Sequence, residues 1–220
     1  MCLQAGAAGE DVTGSVSDST VASPGGAGGN ALLKVYWGSM FAQKSMALFR
    51  EVLRARAARK KVQCFKYDDG RYAKREIVTH DGLALEAQPV ADTDALVAAV
   101  DPDTEVIIID EAQFFDERLV QVANEWADAG RTVIAAGLDM DRYGRPFGIM
   151  PALAATAEEA IKLRAICVCC GDEAWISYGR ATTTTEQKEI GGADKYEARC
   201  RRCARKGPHA TAVEVPRFMR

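Results

Sequence analysis

No apolar run in this chain approaches the ~18 residues of a membrane-crossing helix, so no such span is expected. Ahead of Asn30 there is neither a basic segment nor an apolar one, so the two marks of a secretory signal are missing. The first lysine is Lys34, and Glu10, Asp11 and Asp18 precede it, which argues against a mitochondrial presequence. Excess positive charge is absent as well. With 28 Lys and Arg against 31 Asp and Glu, the net charge is −3, and overall electrostatics draw the chain to neither nucleic acid nor a membrane surface. Without a secretory signal, the odd count of seven cysteines favours metal binding in a reducing compartment over disulfides. A cytoplasmic location is therefore expected.

What is present suffices for a sizeable core: 48% of 220 residues are hydrophobic, enough for one medium domain with a small appendage. Residues 1–29 are rich in Gly, Ala, Ser and Thr and are expected to form a disordered tail, because such a composition buries too little apolar surface to offset ordering entropy. A core domain is expected over 30–166, a small metal-stapled unit over 167–206 and a flexible tail over 207–220.

Within the core, strand and helix patterns alternate. Strands are expected at 31–37, Val62–Tyr67, Glu105–Asp110, Thr132–Gly137 and Glu159–Ile166, with a short edge strand or loop at Ile77–Asp81. The continuous apolar run Val106–Ile109 is the pattern of a parallel sheet covered on both faces. Helices are expected from Ser45 to about Lys60, with Met46, Phe49, Val52 and Leu53 inward. A second starts at an Asp92 cap and runs to about Val100. A third spans about Glu117–Ala129, with Leu119, Val120, Ala123 and Trp126 inward and Gly130 as its stop. A helix or turn opens near Pro146. The alternation predicts an α/β fold of P-loop NTPase type, a parallel sheet with helices on both faces.

Three groups of residues carry chemistry. After the first strand come Gly38-Ser39-Met40-Phe41-Ala42-Gln43-Lys44-Ser45, in the spacing of a phosphate-binding loop, in which successive backbone N–H groups at a helix start cradle an anion. Lys44 is placed to reach terminal phosphates and the Ser45 hydroxyl to bind Mg²⁺. The usual second glycine is Gln43 here, and weakened nucleotide binding is expected from its bulk. At the end of the buried strand stand Asp110 and Glu111. Asp110 fits a Mg²⁺-holding acid, and Glu111 a group that accepts a hydroxyl proton. Late in the chain, Cys167 and Cys170 form one Cys-x-x-Cys pair and Cys200 and Cys203 another, with 29 residues between them. Two such pairs supply four thiolates for a structural Zn²⁺. Cys169 is the spare.

Together these motifs resemble the type II thymidine kinase family, which joins a P-loop core to a zinc-bearing lasso. Further matches are Asp69-Gly70-Arg71-Tyr72, Thr79-His80-Asp81, Asp110 to Phe114, Leu138-Asp139, Pro146-Phe147-Gly148 and Ile190 to Tyr196. The resemblance covers about 31–206. It implies transfer of the γ-phosphoryl group of ATP to the 5′-hydroxyl of thymidine, with Glu111 as general base. It implies ATP contacts along Gly38–Ser45, at Asp69, Gly70 and Arg71, and at Asp110, Glu111, Ala112 and Gln113. The nucleoside side would comprise Met40, Gln113, Phe114, Leu138, Arg142, Phe147, the lasso segment Gln187, Lys188, Glu189, Ile190 and Gly191, and Tyr196. Arg142 stands where the family usually carries an aromatic. The resemblance also implies a homo-oligomer, tetramer or dimer.

Overall fold

The computed structural model describes residues 32–68, 76–78, 82–179 and 195–207. Six strands form the main sheet: β1 (Leu32–Gly38), β2 (Val62–Tyr67), β5 (Gln88–Val90), β6 (Val106–Asp110), β7 (Thr132–Leu138) and β8 (Glu159–Leu163). Their order across the sheet is β5-β2-β6-β7-β1-β8, and every neighbouring pair is parallel. Between β2 and β5 a small antiparallel pair, β3 (Glu76–Val78) and β4 (Ala84–Glu86), stands beside the sheet. Expectation and structure agree on an α/β fold with a parallel sheet.

The side-chain period of two sorts the core into two layers. Leu33, Val35, Ile107, Ile109, Val133 and Ala135 face one way. They pack against Leu96 of α2 (Thr93–Ala99), Leu119 and Ala123 of α3 (Arg118–Asp128), and Leu153 of α4 (Met150–Thr156). Tyr36, Val106, Ile108, Ile134 and Ala136 face the other way, against Leu48, Val52 and Ala55 of α1 (Lys44–Ala57). Each fully buried Leu, Ile or Val contributes roughly 1.5–3 kcal/mol, so these two layers dominate the fold's stability. Asp92 caps α2 as expected, its carboxylate accepting the Ala95 N–H at 2.7 Å. Gly130 follows α3 with φ +90°, the left-handed stop a glycine adopts without strain.

The buried face of α1 differs from the expectation. Leu53 is exposed, and the inward positions are Leu48, Glu51, Val52 and Ala55. The cause is a polar network that periodicity of apolar residues does not register. Glu51 accepts the Tyr36 hydroxyl at 2.6 Å and pairs with Lys34 at 3.4 Å, and Lys34 also pairs with Glu159 at 2.9 Å. Turning Glu51 inward for these strand partners rotates Leu53 out. Val120 and Trp126 of α3 pack half-buried against the core beside Leu119 and Ala123, and Val122 is buried as well. The last sheet strand stops at Leu163, short of Ile166, which instead bridges Glu173 in the cysteine unit.

That unit holds β9 (Ile176–Gly179) and β10 (Tyr196–Arg199), paired antiparallel, and the short helix α5 (Arg201–Arg205).

Burial acts to raise the Glu51 carboxyl, but the Tyr36 hydroxyl and the Lys34 ammonium outweigh it and hold it below the ordinary carboxylate range. A depressed carboxylate stabilises the fold above its unfolded pKa, and that stability is lost as pH falls through the folded value. Glu51→Gln is therefore expected to cost about 1–2 kcal/mol at neutral pH, with the gap closing below the ordinary carboxylate range. Denaturant melts of both proteins across pH measure this, and a gap independent of pH would contradict it.

Candidate active site

The parallel strands bring their C-terminal ends to one edge of the sheet, where an α/β fold places its site. Gly38 ends β1 beside Leu138 of β7. At φ +149°, a Cβ on Gly38 would lie 2.1 Å from the Leu163 carbonyl oxygen, so the close approach of β8 demands glycine there. The chain then runs through Ser39, Met40, Phe41 and Ala42 to Gln43, which precedes α1. Phe41 and Gln43 both take left-handed backbone, at φ 64° and 59°. The start of α1 has no side-chain cap and no acidic residue in its first turn, while Arg54 and Arg56 lie in its last. Its leading N–H groups and positive dipole end are thus left for an anion. Ser45 sits half-buried in that first turn. The Lys44 ammonium donates to the Gly38 and Ser39 carbonyls at 3.2 and 2.8 Å.

Asp110 and Glu111 follow at the end of β6. Asp110 is 8% exposed, and its carboxylate accepts the Glu111 N–H at 2.9 Å. Burial, then the neighbouring Glu111 charge, pushes the Asp110 carboxyl up to about 7. Desolvation lowers the Lys44 amine, while Glu111, Asp110 and Asp139 act the other way. Glu111 itself is exposed, and its backbone is left-handed at φ 56°. Non-glycine residues held there cluster at functional sites.

Gln113 fixes the Glu111 carboxylate. Its Oε1 accepts the Leu138 N–H at 3.0 Å, which leaves its Nε2 to donate to Glu111 Oε2 at 2.6 Å. Two glycines make room for Gln113, one for its side chain and one for its backbone. A Cβ on Gly137 would lie 2.6 Å from Gln113 Oε1, and one on Gly148 2.2 Å from the Gln113 carbonyl oxygen. Phe114, next along, packs edge-on to Phe147 at 5.6 Å and tilted against Tyr67 at 5.5 Å. The Gly38–Ser45 loop, the strand-end acids Asp110 and Glu111 and an aromatic wall thus share one edge.

A family model described as thymidine kinase matches residues 31–204. The chain belongs to the thymidine kinase family. A thymidine kinase of Bacteroides thetaiotaomicron is 42% identical over 172 residues, 78% of this chain and 85% of that protein. One from Bacteroides fragilis is 43% identical over the same shares. Among solved structures, a Pif1 helicase from Candida albicans overlaps with a TM-score of 0.38 and 17% identity. The overlap covers 64% of this chain and 38% of the helicase.

In this thymidine kinase-family chain the four thiols of Cys167, Cys170, Cys200 and Cys203 all lie within 4.8 Å of one another. That spacing and an all-sulfur donor set fit one tetrahedral metal ion. The Cys167 carbonyl accepts the Gly171 N–H at 2.9 Å and the Cys200 sulfur accepts the Cys203 N–H at 3.4 Å, so each pair is wound into a turn. Cys169 is buried and lies outside the foursome. Cys64 sits in β2, where burial pushes its thiol up to about 11, as suits an inert core position.

Met40 and Leu138 are half-buried near the loop, and Phe147 and Tyr196 are buried. Burial raises the Tyr196 hydroxyl, with nearby Arg142 acting to lower it. Arg142 lies over the Tyr143 ring at 5.3 Å and against Gly179 of β9. Asp69, Gly70, Arg71 and Gln187 to Gly191 lie outside the described residues.

Sequence reasoning missed several supports. Asp139, 3% exposed, pairs with Lys162 at 2.8 Å, and the Leu-Asp dipeptide was its only signal. Asp141 organises the following loop by accepting the Tyr143 and Arg145 N–H groups at 2.8 and 3.0 Å. Trp175 is sandwiched between Gly144 of that loop and the Arg201 guanidinium at 3.7 Å. Ser177 carried no signal at all.

Gly148, which abuts Gln113, and Gly130, which abuts nothing, form a controlled pair. Gly148→Ala and Gly130→Ala both place a side chain at positive φ, a strain of about 1–2 kcal/mol each, but only the first drives into Gln113. Gly148→Ala is expected to lower kcat roughly a hundredfold, the scale of a ~1 Å misplacement at the chemistry. Gly130→Ala should lower only the melting temperature. Equal kcat values for the two variants would remove Gly148 from this role.

Proposed function

We propose that this chain transfers the γ-phosphoryl group of ATP to the 5′-hydroxyl of thymidine, with Glu111 as general base. The observation that carries the reading is the Glu111 carboxylate itself. It is exposed at the strand end and held by Gln113 through one oxygen. Its other oxygen is then left to take a hydroxyl proton as the oxygen attacks phosphorus.

The rest of the site supports the same chemistry. The amides from Phe41 to Ser45 receive the phosphates, and Lys44 turns from the Gly38 and Ser39 carbonyls to the transferring group. Its positive charge offsets what develops there. Asp110 and Ser45 would hold Mg²⁺, which when bound neutralises phosphate charge. A buried carboxylate facing an ammonium and a second acid fits such an ion. On the nucleoside side, Met40, Phe114, Leu138, Phe147, Arg142 and Tyr196 border the sugar and base, with Asp69, Gly70 and Arg71 near the phosphates. The segment Gln187–Gly191 holds the base through main-chain groups, as the family resemblance implies. The reading carries with it a cytoplasmic homo-oligomer that takes neither nucleic acid nor membrane as partner. Deoxyuridine, which differs from thymidine by one methyl group, is the natural second acceptor.

Purified protein with ATP, Mg²⁺ and thymidine is expected to form the 5′-monophosphate. Glu111→Gln should abolish turnover yet still bind a fluorescent ATP analogue. Residual turnover within about tenfold of wild type, less than general-base catalysis typically supplies, would take the base role from Glu111.

The four thiols are expected to hold one structural Zn²⁺ per chain, in an assembly of two or four chains. Native mass spectrometry reads both at once. Cys200→Ser should lose the metal, and retention at full stoichiometry would count against this ligand set.

A further inference from the structure

The phosphate loop is tied to the cysteine unit by one buried hydrogen bond. The Met40 N–H donates to Ser177 Oγ at 2.9 Å, across 137 residues of chain, and Ser177 is 3% exposed. We propose that Ser177 is a positioning residue for the phosphate loop, so that nucleotide affinity depends on a hydroxyl supplied by the cysteine-stapled unit. The proposal deepens the kinase reading and rests on it.

Three observations support it. First, Ser177 is fixed from both directions. It pairs with Ala198 across the β9–β10 ladder, Cys200 follows β10 directly, and Cys170 lies just upstream of β9. Second, the loop packs closely on that unit. Ala42 is buried with Ala165, Ala174 and Ala198, and Phe41 and Leu163 lie against them. Only small side chains let two backbones approach this closely, so the hydroxyl can reach the amide without a gap. Third, the loop is strained and needs holding. Phe41 and Gln43 both adopt left-handed backbone, which persists only where the surroundings over-determine it. The Lys44 contacts to the Gly38 and Ser39 carbonyls cannot supply that in the bound state, because Lys44 leaves them for the phosphate. The Ser177 bond does not involve Lys44 and survives binding. It also turns the Met40 amide toward β9, leaving the amides that follow to line the anion site.

The test is an equilibrium titration of the full-length protein with a fluorescent ATP analogue, paired with steady-state KM values for ATP and thymidine. Ser177→Ala removes the acceptor. Ser177→Cys keeps nearly the same volume with a much weaker acceptor. Both are expected to bind the analogue about fivefold more weakly and to raise the KM for ATP by a similar factor, the scale of one buried hydrogen bond. The KM for thymidine should stay within about twofold, below what such a bond is worth. Wild-type affinity in either folded variant overturns the proposal. So does a loss confined to the KM for thymidine, which would make Ser177 a nucleoside-pocket residue. Should Ser177→Ala fail to show a cooperative thermal transition, Ser177→Cys alone decides. Failure of the wild-type protein to bind the analogue would sink the kinase reading and this proposal with it. Wild-type binding with unchanged variants sinks only the role of Ser177.

Discussion

One ammonium among three carboxylates is the constraint on which the site depends. Lys44 feels Glu111, Asp110 and Asp139 together, in a place where burial disfavours the charges of Lys44 and Asp110. Taking charges out of water is costly unless each finds a partner. The three acids reach Lys44 because β6, β7 and β1 are neighbours in a parallel sheet and end on the same edge. Each carboxylate also has a support of its own: the Glu111 N–H for Asp110, Gln113 for Glu111 and Lys162 for Asp139. The cluster is therefore held in place before any ligand arrives. In the proposed reaction a metal-bearing nucleotide would complete the cluster, the metal held by the acids and the phosphate met by Lys44.

Positioning comes from outside the loop as much as from within it. Leu163 forbids any side chain at Gly38, and Gly137 and Gly148 give way to Gln113. The loop that opens with Asp139 leans on Trp175, and the Met40 amide leans on Ser177. The last two supports belong to the cysteine unit. Its two strands are too short to hold a core of their own, and among the described residues its centre is the cysteine cluster. A metal there would stiffen β9 and β10, and with them the contacts to Gly144 and Met40. The family's union of a parallel-sheet core with a stapled appendage has this physical meaning here: the appendage furnishes contacts that the sheet edge lacks.

What could be read from residues alone follows from how local each signal is. Gly38 to Ser45, Asp110-Glu111 and the two Cys-x-x-Cys pairs lie contiguous in the chain, and their spacing carries the chemistry. The β6 run Val106–Ile109 announced a doubly covered strand, and all of β6 is buried. Where contacts join distant residues, the reading failed. Glu51 faces inward because Tyr36 and Lys34 wait for it on β1, so the hydrophobic period misassigned Leu53. The resemblance names Gln113 as a site residue, and only the Leu138 amide reveals which end of its side chain meets Glu111. Ser177 is one serine among many until the fold sets it beside Met40. The short strands β4 and β5 carry too few residues for any period to register.

Gln43 changes the energy of the loop rather than its set of donors. A glutamine keeps the backbone N–H that the position contributes, and here its side chain is exposed and makes no cap bond. What it loses is glycine's freedom at φ 59°, a difference of about 1–2 kcal/mol. That strain is present with or without nucleotide, so it weakens binding only to the extent that the empty loop can relax away from the bound shape. Supports that hold the loop in the empty state shrink that extent. The Ser177 bond and the alanine packing around Ala42 are such supports. With them in place, the missing glycine would act mainly on the stability of the fold, and less on affinity for the phosphates of the proposed reaction.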